Sequence, residues 1–307
     1  MKTDQTKYPS LFLLFLLLCV ACATKQEENL PEQQYLTQQI PEKTPIPFFP
    51  AGQLEGAITH QGVFTPGLEN YYFTLSDPDF SQFNVMQVSK EDNQWSEPKE
   101  AFFNTTFNEH GLSFSADGKT LFFSSTRPVS GKAISDTWHL WKAVKDDGQW
   151  GEPFPVNIPN LGGKLVSHPS IAADGTLYFH SSNLDYSEMG IYVAKPSGAG
   201  GYLPAQKLQL EGIGNQQTCT PYIDPAERFI LFALIGEQLD LAVSKRTASG
   251  KWGQLQRLPL SINTHGQGNP HITPDGQFLL YAVGDYYKGE GYIKWVSLAF
   301  AFEGLGL

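Results

Sequence analysis

The stretch His110-Gly111-Leu112-Ser113-Phe114-Ser115-Ala116-Asp117-Gly118-Lys119-Thr120-Leu121-Phe122-Phe123 decides the fold. It reads as two short apolar strands joined at Asp117-Gly118, a dipeptide that tolerates the positive φ angles of a tight hairpin turn. The pattern returns as His168-Pro169-Ser170-Ile171-Ala172-Ala173-Asp174-Gly175-Thr176-Leu177-Tyr178-Phe179. It returns again as Asn269-Pro270-His271-Ile272-Thr273-Pro274-Asp275-Gly276-Gln277-Phe278-Leu279-Leu280-Tyr281. Two more copies keep the strands but lose the Asp-Gly turn, one starting at Thr220-Pro221-Tyr222-Ile223 and one at Gly62-Val63-Phe64-Thr65. Other turn types also close hairpins, so the chain holds five copies of a unit of about 50 residues.

Each copy continues into a third strand, over 83–90, 138–145, 190–195, 239–245 and 292–298. In the first four copies a polar turn and a fourth strand follow, opened by Trp95, Trp150, Tyr202 and Trp252. Four antiparallel strands repeated radially make a propeller blade. A β-sandwich would not repeat itself in this way. The fifth copy has no marked fourth strand. The segment from Pro45 to Gly56 lies just before copy one, where a fourth strand belongs. It is expected to pair with the last blade and close the ring, protecting the sheet edges. The expected fold class is therefore all-β, a five-bladed β-propeller over 45–307 whose N-terminal strand closes the last blade.

Composition fits this reading. The chain has 307 residues, 13% aromatics, 29 Gly and 21 Pro, as many short strands joined by tight turns require. Its formal charge of −10 comes without a basic stripe, so nucleic acid is not an expected partner. Beyond Cys22 the only cysteine is Cys219, which rules out a disulfide framework in the folded domain.

The N-terminus reads as an address. Lys2 and Lys7 precede an apolar run from Leu11 to Leu18, which is too short to span a bilayer and has the size of a signal-peptide core. Cys19-Val20-Ala21-Cys22 resembles a bacterial lipobox, with Cys19 where the pattern prefers Leu. The resemblance implies a lipoprotein signal peptide over 1–21 and a lipid on Cys22. The Gln-, Glu-, Pro- and Thr-rich stretch 22–44 is expected to be a flexible tether.

The copies resemble the WD40-like, PD40 repeats of TolB-type propellers, whose unit runs Pro-x-apolar-Ser-Pro-Asp-Gly-x-x-Leu-x-Phe-x-Ser-x-Arg. Copy two matches through Ser115, Asp117, Gly118, Leu121, Phe123, Ser125 and Arg127. Copy three keeps Pro169, Asp174, Gly175, Leu177, Phe179 and Ser181, with Asn183 in place of Arg. Copy five keeps Pro270, Pro274, Asp275 and Gly276. The resemblance implies the fold but no single activity, since such propellers include binding scaffolds, lyases and peptidase-associated domains.

Candidate site residues follow from the propeller geometry. The innermost strand of each blade lines a central channel. Aligned on the Gly or Pro that follows, those strands open with Gln61, His110, His168, Thr220 and Asn269. His60, Ser167 and Cys219 stand one place earlier, and His265 lies nearby. Converging imidazoles suit a divalent metal, although no cofactor is required, and such side chains also bond backbone groups or water. Asp77, Glu109, Asp136, Asp185, Glu188, Asp240 and Asp285 read as surface charge. Tyr186, Tyr286 and Tyr287 read as loop aromatics that pack between blades. The expected function is a non-enzymatic binding or assembly module of the bacterial envelope. It would be membrane-anchored through lipid, periplasmic or surface-exposed, with an envelope protein or carbohydrate as partner. The alternative is a propeller enzyme, a glycoside hydrolase or lyase, acting on a carbohydrate or cell-wall fragment.

Overall fold

The computed structural model describes residues 34–49, 54, 56–130, 137–198, 200–284 and 290–306. The leader, Cys22, Asp136, Asp285, Tyr286 and Tyr287 lie outside the described residues. The strands form five antiparallel sheets, one for each sequence copy. Blade 1 runs outward through Ile58–Phe64, Asn70–Ser76 and Phe83–Glu91, and blade 2 through Glu109–Phe114, Thr120–Ser125 and His139–Asp146. Blade 3 uses Leu165–Ile171, Leu177–Ser182 and Gly190–Ala194; blade 4 uses Gln217–Ile223, Phe229–Ile235 and Leu239–Lys245. Blade 5 has Gln267–Ile272, Phe278–Val283 and Tyr292–Ser297. Ile46–Pro47 adds its fourth strand, pairing Ile46 with Trp295 and Pro47 with Lys294. The chain is thus a five-bladed β-propeller closed by its N-terminal segment.

The fourth strands depart in detail from their aromatic markers. Trp95 and Trp150 extend the hairpin after the third strand, pairing with Lys90 and Lys145. The outer strands proper come later, at Lys99–Glu100, Phe154–Pro155, Gln206–Lys207 and Gln256–Arg257. Pro98 and Pro153 fall between the two pairings, where a residue without an N–H interrupts the ladder.

The core lies between blades rather than on the axis. There are five buried apolar clusters, one at each blade interface. The second strand of each blade supplies both of its neighbours, because successive side chains point to opposite faces. Phe122 joins the cluster toward blade 3, whereas Leu121 and Phe123 join the one toward blade 1. This explains why second strands read as unbroken apolar runs. The turns between first and second strands share one geometry whatever their sequence. Gly118, Gly175 and Gly276 have φ of +67°, +86° and +73°. The degenerate copies place Leu68 and Glu227 there at +62° and +54°.

The tether expectation is corrected over 34–44. Tyr35 is fully buried at the junction of blades 5 and 1, with its ring 5.6, 5.1 and 5.5 Å from those of Phe64, Phe278 and Trp295. Its hydroxyl donates to Asp275 in the turn of blade 5. The Ser297 N–H donates to the Glu42 carbonyl at 3.2 Å. Composition averaged over the segment hides one aromatic that a ready-made pocket accepts.

Candidate functional site

All five inner strands carry a β-bulge near their start. In blades 2 to 5 the bulge holds one residue in the left-handed region. These residues are Gly111, His168, Thr220 and Asn269, at φ +62°, +52°, +46° and +50°. Gly111, and not His110, is therefore the counterpart of His168. The sequence alignment shifts blade 2 by one place, and His110 corresponds to Ser167, Cys219 and Gly268 instead. In blades 3, 4 and 5 a proline follows the bulged residue, which suits a position whose N–H has left the ladder. In blade 2 that position is Leu112, and its N–H donates to Gln61 Oε1 of blade 1 at 2.7 Å.

Gly111 is a position where side-chain volume has no room. An ideal Cβ would stand 3.0 Å from Ser124 Oγ and 3.1 Å from His168 Cα, at a positive φ. Gly111→Ala should cost about 1–3 kcal/mol. Urea unfolding measures it, and an unchanged midpoint would mean that the bulge relaxes freely.

The candidate residues meet around the axis and join the blades into a closed ring. Gln61 bonds Leu112 from blade 1 to blade 2. The Ser124 hydroxyl of blade 2 accepts the His168 N–H at 2.9 Å. His180 Nδ1 of blade 3 accepts the Thr220 N–H at 3.4 Å. Thr220 Oγ1 accepts the Asn269 N–H at 3.2 Å, and Asn269 Nδ2 donates to the His60 carbonyl at 2.7 Å, completing the circuit. Cys219 is a buried free thiol whose pKa burial pushes up to about 12, so it is inert at neutral pH. His265 is exposed, outside this circuit, and its carbonyl accepts from Gln267.

Four imidazoles gather at the end where the inner strands begin. The His110 and His168 rings meet edge-on at 4.3 Å, and His168 stacks on His180 at 4.6 Å. Trp138 packs against His110 at 3.9 Å, and Phe83 lies between His60 and His110 at 5.2 and 5.5 Å. Burial lowers the pKa of His60 and of His180 to about 4. It drives His110 and His168 well below the usual range, helped by repulsion from the neighbouring imidazoles. All four are neutral at physiological pH.

His110 Nε2 and His168 Nδ1 turn to one group, the Ser167 hydroxyl, at 3.0 and 2.9 Å. A hydroxyl has a single proton, so at least one of the two imidazoles donates to it. Among the described residues no group of three or more His, Cys, Asp or Glu side chains is arranged to hold a metal ion. The cluster links blades 2 and 3 by hydrogen bonds. Sequence reading missed His180, whose signal was a polar residue inside the apolar second strand Leu177–Ser182. It placed Ser167 one position before His168 without reading it as the hydroxyl that both imidazoles meet.

The carboxylate expectations divide. Glu109 is corrected from surface charge to a fully buried group, paired with Arg127. The Asp77 carboxylate accepts from the N–H and hydroxyl of Ser81 and from the Gln82 N–H, and that of Asp185 from the N–H and hydroxyl of Ser187, within their own loops. Tyr186 is corrected from a packed to an exposed aromatic, at 60%.

At the opposite, turn end of the axis the channel opens into a vestibule of about 220 Å³ lined from all five blades. Its walls include Phe64, Phe114, Ile171, Ile223 and Ile272. Below them Ser113 and Ser170 accept the N–H groups of Ile171 and Ile223 in the next blades, at 3.2 and 2.8 Å.

No family model and no curated protein matches the chain. Several solved structures are similar in fold. TolB from Acinetobacter baumannii is 16% identical, over 81% of this chain and 63% of that one, with a TM-score of 0.43. The GH43 endo-arabinanase from Bacillus licheniformis is 14% identical over 79% of this chain and 94% of its own, with a TM-score of 0.49. The oligogalacturonate lyase from Vibrio parahaemolyticus is 12% identical over 78% and 91%, with a TM-score of 0.38. The chain spans less than two thirds of the length of that TolB. The TolB-like propeller resemblance of the repeats is met at the level of the fold.

Proposed function

We propose that the chain is a lipid-anchored binding or assembly module of the bacterial envelope, held by Cys22 and recognising its partner through the loop face. The observation that carries this reading is the loop face, which holds four of the eight large apolar side chains exposed among the described residues, against two, Leu203 and Val144, at the turn end. The described chain enters at the turn end, where Tyr35 meets Asp275. The loops at the opposite end present Leu260, Tyr186, Leu184 and Phe107 to solvent, at 86%, 60%, 45% and 41% exposure. Exposed apolar side chains on loops set on a rigid scaffold suit partner recognition. A tether at one face then leaves the other turned outward. The histidine cluster gives the enzyme alternative less support, because Ser167 occupies the facing nitrogens of His110 and His168.

Cys22→Ala should release the chain from the membrane fraction or block its processing. Retained membrane association with an unchanged mature mass would refute the anchor. Site-specific crosslinking from Tyr186 and Leu260 in cells should trap a partner that is absent when the crosslinker replaces a turn-face residue such as Lys119. Equal trapping from both faces would refute the recognition surface.

A further inference from the structure

The residues that resume the ladder after the bulge in blades 2 to 5 are Ser113, Ser170, Tyr222 and His271, paired with Phe122, Tyr178, Leu231 and Leu280 of their second strands. Equivalent places on radially repeated strands form one layer around the axis. The layer is lopsided. Blades 4 and 5 contribute two rings, which meet edge-on at 5.4 Å, whereas blades 2 and 3 contribute only serines. Side chains of such unequal size leave the axis unfilled, and all four line the vestibule of about 220 Å³. Their hydrogen bonding is also incomplete. The Ser113 and Ser170 hydroxyls each accept one N–H from the next blade, and neither has an acceptor for its own proton among the described residues. The His271 Nε2 is buried without a hydrogen-bond partner among them. Polar groups held this far from water are normally paired.

The lining limits what the vestibule accepts. It contains no Asp, Glu, Lys or Arg. Its imidazole, His271, is held neutral, since burial lowers the pKa to about 3. The carboxylates of the neighbouring turns are engaged within those turns. Asp117 accepts from the Ser115 hydroxyl and the Lys119 N–H, and Asp224 is paired with Arg228. Asp275 accepts from the hydroxyls of Tyr35 and Thr273 and from the Gln277 N–H. An ion of either sign would therefore enter without a counter-charge, which is costly away from water. Size sets the other limit. An apolar cavity of about 150 Å³ accepts benzene, and drug-sized ligands need about 300 Å³ or more. The walls of Phe64, Phe114 and Ile171 thus enclose room for one ring with a small substituent. A hydroxyl is the substituent that suits the layer, because it both accepts and donates.

We propose that the axial vestibule binds a small uncharged ring alcohol of the phenol type. The hydroxyl meets the serines of blades 2 and 3, and the ring lies against Phe64, Phe114 and Ile171. The site stands at the turn end, apart from the loop face, and depends on neither the lipid anchor nor the envelope partner.

The test uses the chain from Ala23 onward, which keeps every described residue. Methylphenol is the probe, toluene its counterpart without the hydroxyl, and benzoate and benzylamine the two ionic arms. Binding is read by calorimetry and by shifts of the His271 ring resonances, which report on the vestibule wall. Methylphenol should bind about fivefold tighter than toluene, as one net hydrogen bond provides. Each ion should bind about tenfold more weakly than methylphenol, or not at all. Ser113→Ala combined with Ser170→Ala should bring methylphenol down to toluene and leave toluene unchanged. Ala116→Trp, which narrows the vestibule from an exposed position on its rim, should weaken both neutral probes. Circular dichroism and thermal midpoints verify that the variants fold. Should the serine variant fail to fold, Ala116→Trp and the ranking of the probes on the unaltered chain still decide. Equal binding of methylphenol and toluene, tighter binding of either ion, a preference retained without the serines, an unchanged affinity in Ala116→Trp, or no binding of either neutral probe would each overturn the proposal.

Discussion

Acid should unfold this propeller well above the pH at which its carboxylates titrate. In the folded chain His60 and His180 hold their protons only below about 4, and His271 only below about 3. Burial is the cause in each case, since removal from water disfavours the charged imidazolium. An unfolded histidine titrates near 6.5. Between these values the unfolded chain binds protons that the folded chain refuses, so stability falls as pH drops from about 6.5 toward about 4. Above about 6.5 these groups contribute no slope. A displacement from 6.5 to about 4 corresponds to roughly 3 kcal/mol per histidine. Two such groups approach the lower half of a total stability of about 5–15 kcal/mol. His110 and His168 add in the same direction. Urea midpoints measured from pH 7.5 down to pH 4 should fall steeply, and His60→Gln with His180→Asn should flatten the curve. A midpoint independent of pH across that window would show that the imidazoles charge without cost.

The architecture was legible because the unit repeats. One Asp-Gly hairpin is a weak signal, but five copies at one period exclude most other folds. The ring closure was legible for a related reason: blade 5 lacked a marked fourth strand, and the segment from Pro45 to Gly56 stood just before copy one, where a fourth strand belongs. Position within the repeat was harder to read. Aligning blade 2 on the residue after His110 treated Gly111 as the counterpart of Pro169. Gly111 is the bulged residue itself, and its counterpart is His168. Glycine and proline mark the same bulge from adjacent places, one supplying the positive φ and the other removing the N–H, so a one-place error leaves the pattern looking intact.

Burial of single polar groups was not legible. Tyr35 sits in a stretch that composition assigns to a tether, yet it completes an aromatic cluster built by Phe64, Phe278 and Trp295. Its partners are distant in sequence, and no local pattern announces them. Glu109 has the same character. Beside His110 at a strand start it reads as a solvated charge, and only the arrangement of three neighbouring chain segments shows otherwise.

Arg127→Met should therefore destabilise the fold by about 3–5 kcal/mol, although it removes one side chain at the edge of a blade. The Glu109 carboxylate is fully buried. Its Oε1 accepts Thr105 Oγ1 at 2.8 Å, Ser125 Oγ at 2.9 Å and Arg127 Nε at 3.1 Å, and its Oε2 accepts the Thr105 N–H at 3.2 Å. Arg127 also donates to the Phe103 carbonyl and covers the rings of Phe123 and Trp141, at 5.2 and 5.0 Å. Methionine keeps much of that apolar contact but leaves a negative charge in a dry site with only neutral donors. The same logic predicts the rescue. Glu109→Gln added to Arg127→Met removes the charge while an amide oxygen still accepts from Thr105 and Ser125. The double variant should recover more than half of the loss, a coupling of the size found for residues in direct contact. Chemical denaturation of the two single variants and the double variant measures the coupling directly. If the single Arg127 variant loses less than about 1 kcal/mol, the ion pair is solvated in solution. If the double variant is no more stable than the single one, the cost lies in lost packing on Phe123 and Trp141 rather than in the stranded charge.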